Sequence, residues 1–134
     1  MAEVICRDLL QSKKILGYTV ASAGVGAWEG AGASPNAIRA VKDMGLDLTA
    51  FRSRELTGEL VRAAELILVM EPIHRKIILE QWPEAAEKVR FLVSYDTIPS
   101  REVPDPIGAS LEAYKHGAEQ IRRCVEGLLD ELEG

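Results

Sequence analysis

Leu66-Ile67-Leu68-Val69-Met70 is an unbroken apolar run. A strand with one wet face alternates apolar and polar residues; a run without alternation marks a parallel strand covered on both faces. The flanking sequence agrees. A helix is expected from Pro72 to about Gln81, interrupted at Trp82-Pro83, and Val89-Arg90-Phe91-Leu92-Val93 reads as a further strand. Upstream, Thr57 caps a short helix with Glu59 and Leu60 in its first turn, and Ser34-Pro35 is a good cap and first-turn pair for a helix ending at Gly45. Before these come a helix over residues 1–16, a strand candidate at Tyr18-Thr19-Val20-Ala21-Ser22-Ala23, and a Gly-rich loop from Gly24 to Ala33. Downstream, a long loop through Asp105 leads to a last helix from Ser110. Its Leu111, Tyr114, Ala118, Ile121, Val125, Leu128 and Leu132 form one stripe at spacings of three and four.

Helices alternating with strands, one of them buried on both faces, predict one α/β domain over residues 1–134, a three-layer sandwich around a parallel sheet. The sequence opens with a helix that no strand precedes. Ligand sites in such folds form where the first strands end and helices begin, so a fold of this class that begins at its first helix is expected to be incomplete.

Composition narrows the function. The chain has 134 residues, 47% apolar and 28% charged, enough for one real core. A net charge of −5 without a Lys/Arg run argues against a nucleic-acid partner. No stretch reaches the roughly 18 apolar residues that a membrane span needs, and charges break up the N-terminus, unlike a signal peptide. Cys6 and Cys124 form no CxxC pair, and His74 and His116 complete no ligand cluster, so no metal or cofactor is expected. Two buried thiols in a reducing cytoplasm is the expectation.

Several residues could carry chemistry. Asp105 lies between Pro104 and Pro106, which hold its carboxylate on a stiff extended loop. Such a carboxylate suits proton delivery, although a plain turn before the last helix reads the same way. Gly24-x-Gly26-x-x-x-Gly30 is a poor dinucleotide loop, because the next helix waits until Ser34-Pro35 and Trp28 fills its middle. Trp28 either packs down as a lid or meets a ligand. Ser22, His74 and Asp105 have no nucleophile elbow, and His74 reads as a solvated helix residue beside Arg75 and Lys76. Cys6 precedes Arg7 but sits inside a helix, where no free N–H groups would lower its pKa.

Taken together, Ser22-Ala23-Gly24-Val25-Gly26-Ala27-Trp28, Ser34-Pro35-Asn36-Ala37, Gly45-Leu46-Asp47-Leu48, Arg52-Ser53-Arg54, Ala64-Glu65-Leu66-Ile67-Leu68-Val69-Met70 and Asp105-Pro106-Ile107-Gly108 resemble the low-molecular-weight protein phosphatase family, in family order. That family includes phosphotyrosine and phosphoarginine phosphatases, and the resemblance implies a flavodoxin-like topology and a phosphorylated protein as substrate. It implies Asp105 as general acid, then base for the hydrolytic water, after a loop thiolate attacks phosphorus. Trp28 and Ile107 match positions that wall the cleft, and Ser22 matches a residue that steadies the phosphate loop.

The family's Cys-x5-Arg-Ser-Pro loop is followed by Met-Ala-Glu or something close to it, and this sequence begins Met1-Ala2-Glu3. Six residues beyond Cys6 is Ser12 and six beyond Cys124 is Asp130, so the motif does not occur. The resemblance therefore implies an N-terminally truncated domain, its first central strand missing with the catalytic loop, that does not turn over substrate alone and self-associates through exposed sheet edges. Ile107 stands where tyrosine-directed members usually carry Tyr, which makes the phosphoarginine branch plausible, and Phe51 stands where many carry His. A thioredoxin-coupled arsenate reductase would need two mid-chain cysteines that are missing here. The alternative is a non-catalytic phosphoprotein-binding domain of the same fold.

Overall fold

A computed structural model describes residues 1–15, 17–24, 32–52, 54–96 and 110–133. In chain order they form α1 (Ala2–Ser12), α2 (Pro35–Lys42), α3 (Gly58–Ala63), β1 (Ile67–Val69), α4 (Pro72–Gln81), β2 (Val89–Phe91) and α5 (Leu111–Glu133), with 3-10 turns at Pro83–Ala85 and Leu92–Tyr95.

The central apolar run becomes β1, which pairs in parallel with β2 in the register Ile67–Val89, Leu68–Arg90 and Val69–Phe91. Side chains alternate across a strand, and here both faces are apolar. Ile67 and Val69 join a cluster with Val61, Ile78, Ala85 and Val89, on the side of α3 and α4. Leu68 points into the larger cluster of Ile5, Leu9, Val41, Leu92, Ile121, Cys124 and Val125, contributed by α1, α2, α5 and the Leu92–Tyr95 turn. Helices therefore cover both faces of the strand pair, as a doubly covered strand requires.

The caps follow the sequence. Ser34 Oγ accepts from Ala37 N at 3.3 Å with Pro35 in the first turn of α2, and Thr57 Oγ1 accepts from Leu60 N at 3.2 Å. Past α2, Gly45 N donates to Lys42 O and Leu46 N to Val41 O, with Gly45 at φ +80°, a closure that favours glycine.

Three elements differ from expectation. The first helix ends at Ser12 instead of residue 16, because Lys14 turns to φ +56° and Ile15 N bonds back to Leu10 O. The second strand stops at Phe91, and Leu92–Tyr95 tightens into a 3-10 turn. Residues 18–23 are not a strand; only the adjoining Gly24 forms an isolated parallel bridge, to Glu55. A strand requires a ladder partner, and among the described residues the sheet has only β1 and β2.

Candidate active site

The chain from Val20 to Gly24 is held from two sides. Glu3 and Arg7 lie one turn apart on α1, and Arg7 Nη2 donates to Glu3 Oε2 at 3.1 Å and to Val20 O at 3.1 Å. The Ser22 hydroxyl donates to Glu3 Oε1 at 2.9 Å. From the other direction, Arg54 Nε donates to Ser22 O at 3.0 Å. Two residues further on, Gly24 N donates to Arg54 O and Gly24 O accepts from Leu56 N, each at 2.9 Å. Two guanidinium groups thus satisfy carbonyls at alternate residues, Val20 and Ser22, as N–H groups of a neighbouring strand would. Burial pushes the Glu3 carboxyl up, but the Ser22 and Arg7 hydrogen bonds outweigh it and leave the group below its ordinary value.

Of the expected site residues, Ser22 is therefore placed, with its hydroxyl donating to Glu3. Asp105, Trp28 and Ile107 lie outside the described residues. Ser22 and His74 show no triad geometry: Ser22 donates to Glu3, while His74 sits on α4. Phe51 is half-buried against the large core cluster, an apolar packing role that a His would fill differently. Nearby, Asp47 Oδ1 accepts from both Thr49 N, at 2.9 Å, and Thr49 Oγ1, at 2.6 Å, shaping the turn that leads to Phe51.

The stretch containing Asp105 is bounded by two anchors on α5. Asp96, whose side chain is 1% exposed, receives Arg123 Nε at 3.1 Å on Oδ1 and Arg123 Nη2 at 3.4 Å on Oδ2. At the other end, Ser110 accepts from Ala113 N through its hydroxyl and from Tyr114 N through its carbonyl.

Neither cysteine has the environment of a nucleophile, which needs a lowered thiol pKa. Cys124 is fully buried, and burial with the nearby Asp96 charge pushes its thiol up to about 11. Cys6 is only half-buried, more open than expected, yet burial still raises its thiol against the opposing effect of Arg7. Among the described residues no group of three or more His, Cys, Asp or Glu could hold a metal ion, and no helix is long and apolar enough to cross a membrane. An open groove of about 440 Å³ between α4 and β2, lined by Arg75, Lys76, Leu79 and Phe91, includes none of the residues around Ser22.

Sequence reading missed Glu3, Arg7 and Arg54 as partners of the Ser22 segment. The spacing of Glu3 and Arg7 announces their own pairing, but nothing local announces Ser22.

A family model described as low molecular weight phosphotyrosine protein phosphatase matches residues 1–134. The chain belongs to this phosphatase family. It is 32% identical to a protein-arginine-phosphatase of Geobacillus stearothermophilus over 125 residues, covering 93% of this chain and 84% of that protein. It is also 37% identical to the low molecular weight protein-tyrosine-phosphatase Wzb of Salmonella typhi over 97 residues, 72% of this chain and 64% of that one. A crystal structure of a YwlE mutant from Bacillus subtilis superposes with a TM-score of 0.90 at 31% identity, covering 99% of this chain and 88% of that one. The α/β architecture is therefore that of the low-molecular-weight phosphatases.

Proposed function

We propose that these residues form the scaffold and proton-donating part of a low-molecular-weight protein phosphatase acting on a phosphorylated protein. The family match over residues 1–134 carries this reading. In the reaction a thiolate forms an S–P bond as the P–O or P–N bond to the substrate breaks. Asp105, held between two prolines, gives its proton to the leaving group. Its carboxylate then takes a proton from water, which displaces the thiolate and releases phosphate. Trp28 and Ile107 wall the cleft, and Ser22 supports the phosphate loop from the segment held by Glu3, Arg7 and Arg54. No metal or cofactor is needed for these steps.

The nucleophile is not one of these 134 residues. Cys-x5-Arg is absent from the sequence, and both cysteines have raised thiol pKa values. This favours a second reading, a domain that binds phosphoprotein without hydrolysing it. Ile107 in place of a stacking Tyr makes phosphoarginine plausible as well as phosphotyrosine, and the relatives include both protein-arginine- and protein-tyrosine-phosphatases. We place the protein in the cytoplasm. The free edge of the strand pair supports self-association, since β1 pairs only with β2 among the described residues.

The test is an assay of Met1–Gly134 with a phosphotyrosine peptide and a phosphoarginine peptide, beside the intact mass of the protein from its native cells. No turnover by Met1–Gly134 is expected. A native mass above 14.7 kDa, with Cys-x5-Arg in the additional peptide, supports the phosphatase. Turnover by Met1–Gly134 that Asp105→Ala abolishes would overturn the assignment of the nucleophile elsewhere. Peptide binding without hydrolysis, at a native mass of 14.7 kDa, selects the binding domain.

A further inference from the structure

The groove between α4 and β2 has no part in the phosphatase reaction. Pro72, Arg75, Lys76, Leu79 and Glu80 recur at spacings of three and four on one face of α4, and with Phe91 of β2 they line about 440 Å³ open to solvent. A different face of α4 packs inward, through Ile78 against Val61, Val69 and Val89. Leu79 and Phe91 are half-buried and give the groove an apolar floor, while Arg75, Lys76 and Glu80 are exposed on its rim. Charge is sorted along that rim. Arg75 and Lys76 are adjacent, Glu80 lies one turn further on, and among the described residues neither cation enters an ion pair. The strand beside the groove is also open. Lys88 O accepts from Ile67 N, so the alternate peptide groups of Val89 and Phe91 face away from β1, where no further strand lies among the described residues. Val89 O accepts there from the side chain of Arg90, Nη1 at 3.0 Å.

We propose that this groove docks an extended acidic segment of a partner protein, with carboxylates at Arg75 and Lys76 and apolar side chains over Leu79 and Phe91. Charge selects the occupant. Two adjacent unpaired cations attract an anionic group locally, while the net charge of −5 repels a large polyanion such as nucleic acid or an acidic membrane. Glu80 repels acid at the other end, so the segment carries its carboxylates on one side of its apolar residues only. The apolar floor rewards burial of those residues, which a purely acidic chain would forgo. A peptide suits the place better than a small molecule does: small-molecule sites enclose most of their ligand, whereas this groove is open and runs beside a strand edge that offers main-chain hydrogen bonds.

The test reads binding and not turnover, so it stands or fails apart from the phosphatase reading. Amide resonances of ¹⁵N-labelled Met1–Gly134 are followed while the end-blocked peptide Glu-Glu-Leu-Phe-Ser-Ser is added, and again with Lys-Lys-Leu-Phe-Ser-Ser and Glu-Glu-Ser-Ser-Ser-Ser. The first peptide is expected to shift residues 73–80 and 89–91, and the other two to bind more weakly. Arg75→Glu combined with Lys76→Glu should weaken the first peptide by roughly tenfold, the scale of two exposed charge contacts, and strengthen the lysine peptide. Both positions are exposed, and unmoved amides on α1 and α5 would show that the fold is kept; if it is not, Arg75→Gln with Lys76→Gln takes its place. Absence of shifts with the first peptide, shifts elsewhere, or equal binding of the acidic and lysine peptides would overturn the proposal. Shifts of the same amides with protein concentration alone, abolished by the charge reversal, would also overturn it and assign the groove to a second copy of the chain.

Discussion

Gly127 of α5 lies directly beneath the Tyr95 carbonyl, which occupies the space a Cβ would need. A side chain here would push the Leu92–Tyr95 turn off the helix, and with it Leu92, which is 1% exposed in the large core cluster. Gly127→Ala should therefore destabilise the protein by about 1–3 kcal/mol, the usual cost of overpacking. Gly117, on the same helix, makes the control, because its added Cβ would meet only Met1 Cε at 3.9 Å. Gly117→Ala should be neutral or stabilising by up to about 1 kcal/mol, from helix propensity alone. Urea unfolding of both variants checks the pair; equal effects would refute the steric account.

The Glu3 carboxylate makes stability depend on acid. Its folded pKa lies below the ordinary 4.5 because the Ser22 and Arg7 hydrogen bonds outweigh burial. A depressed acid contributes stability that is fully present above the unfolded value and is lost as pH falls through the folded one. The urea midpoint should thus fall more steeply below about pH 4.5 in the parent than in Glu3→Gln. At neutral pH the variant should start lower, since Ser22 and Arg7 lose a charged acceptor.

Thiol chemistry separates the two cysteines. Cys124, fully buried with its pKa near 11, should react with a thiol reagent only on unfolding. Cys6, half-buried with a raised pKa, should react slowly in the folded protein. A thiol in folded Met1–Gly134 reacting faster than a free cysteine at pH 7 would contradict the absence of a nucleophile from these residues.

The Ser34 cap tests the local reading of α2. Ser34→Ala removes the acceptor of the Ala37 N–H at 3.3 Å and should cost about 1 kcal/mol, with Ser34→Asp restoring it. Thermal melts of the two variants would show this.

Where the physics is local, the sequence was readable. The caps at Ser34 and Thr57 each depend on residues within a few positions and formed as read. The α5 stripe is buried at Tyr114, Ala118, Ile121, Val125 and Leu128, while Leu132 at its end is exposed, and α2 stops at Lys42, three residues before Gly45. Residues 18–23 misled because their β-rich composition says nothing about a partner strand. The helix end at Ser12 misled for a related reason: Ile15 is apolar and fits the periodicity, yet Lys14 has already turned into the left-handed region.

By itself, the sequence determined the class of fold and the family. An unbroken apolar strand between amphipathic helices has few ways to be buried, and the family motifs recur in order along the chain. Tertiary structure alone decided which groups meet. Glu3 reaches Ser22 across 19 positions, and Arg123 reaches Asp96 across 27. Such contacts leave no periodic trace, because they depend on how α1 and α5 pack over the sheet and not on the spacing of any one element.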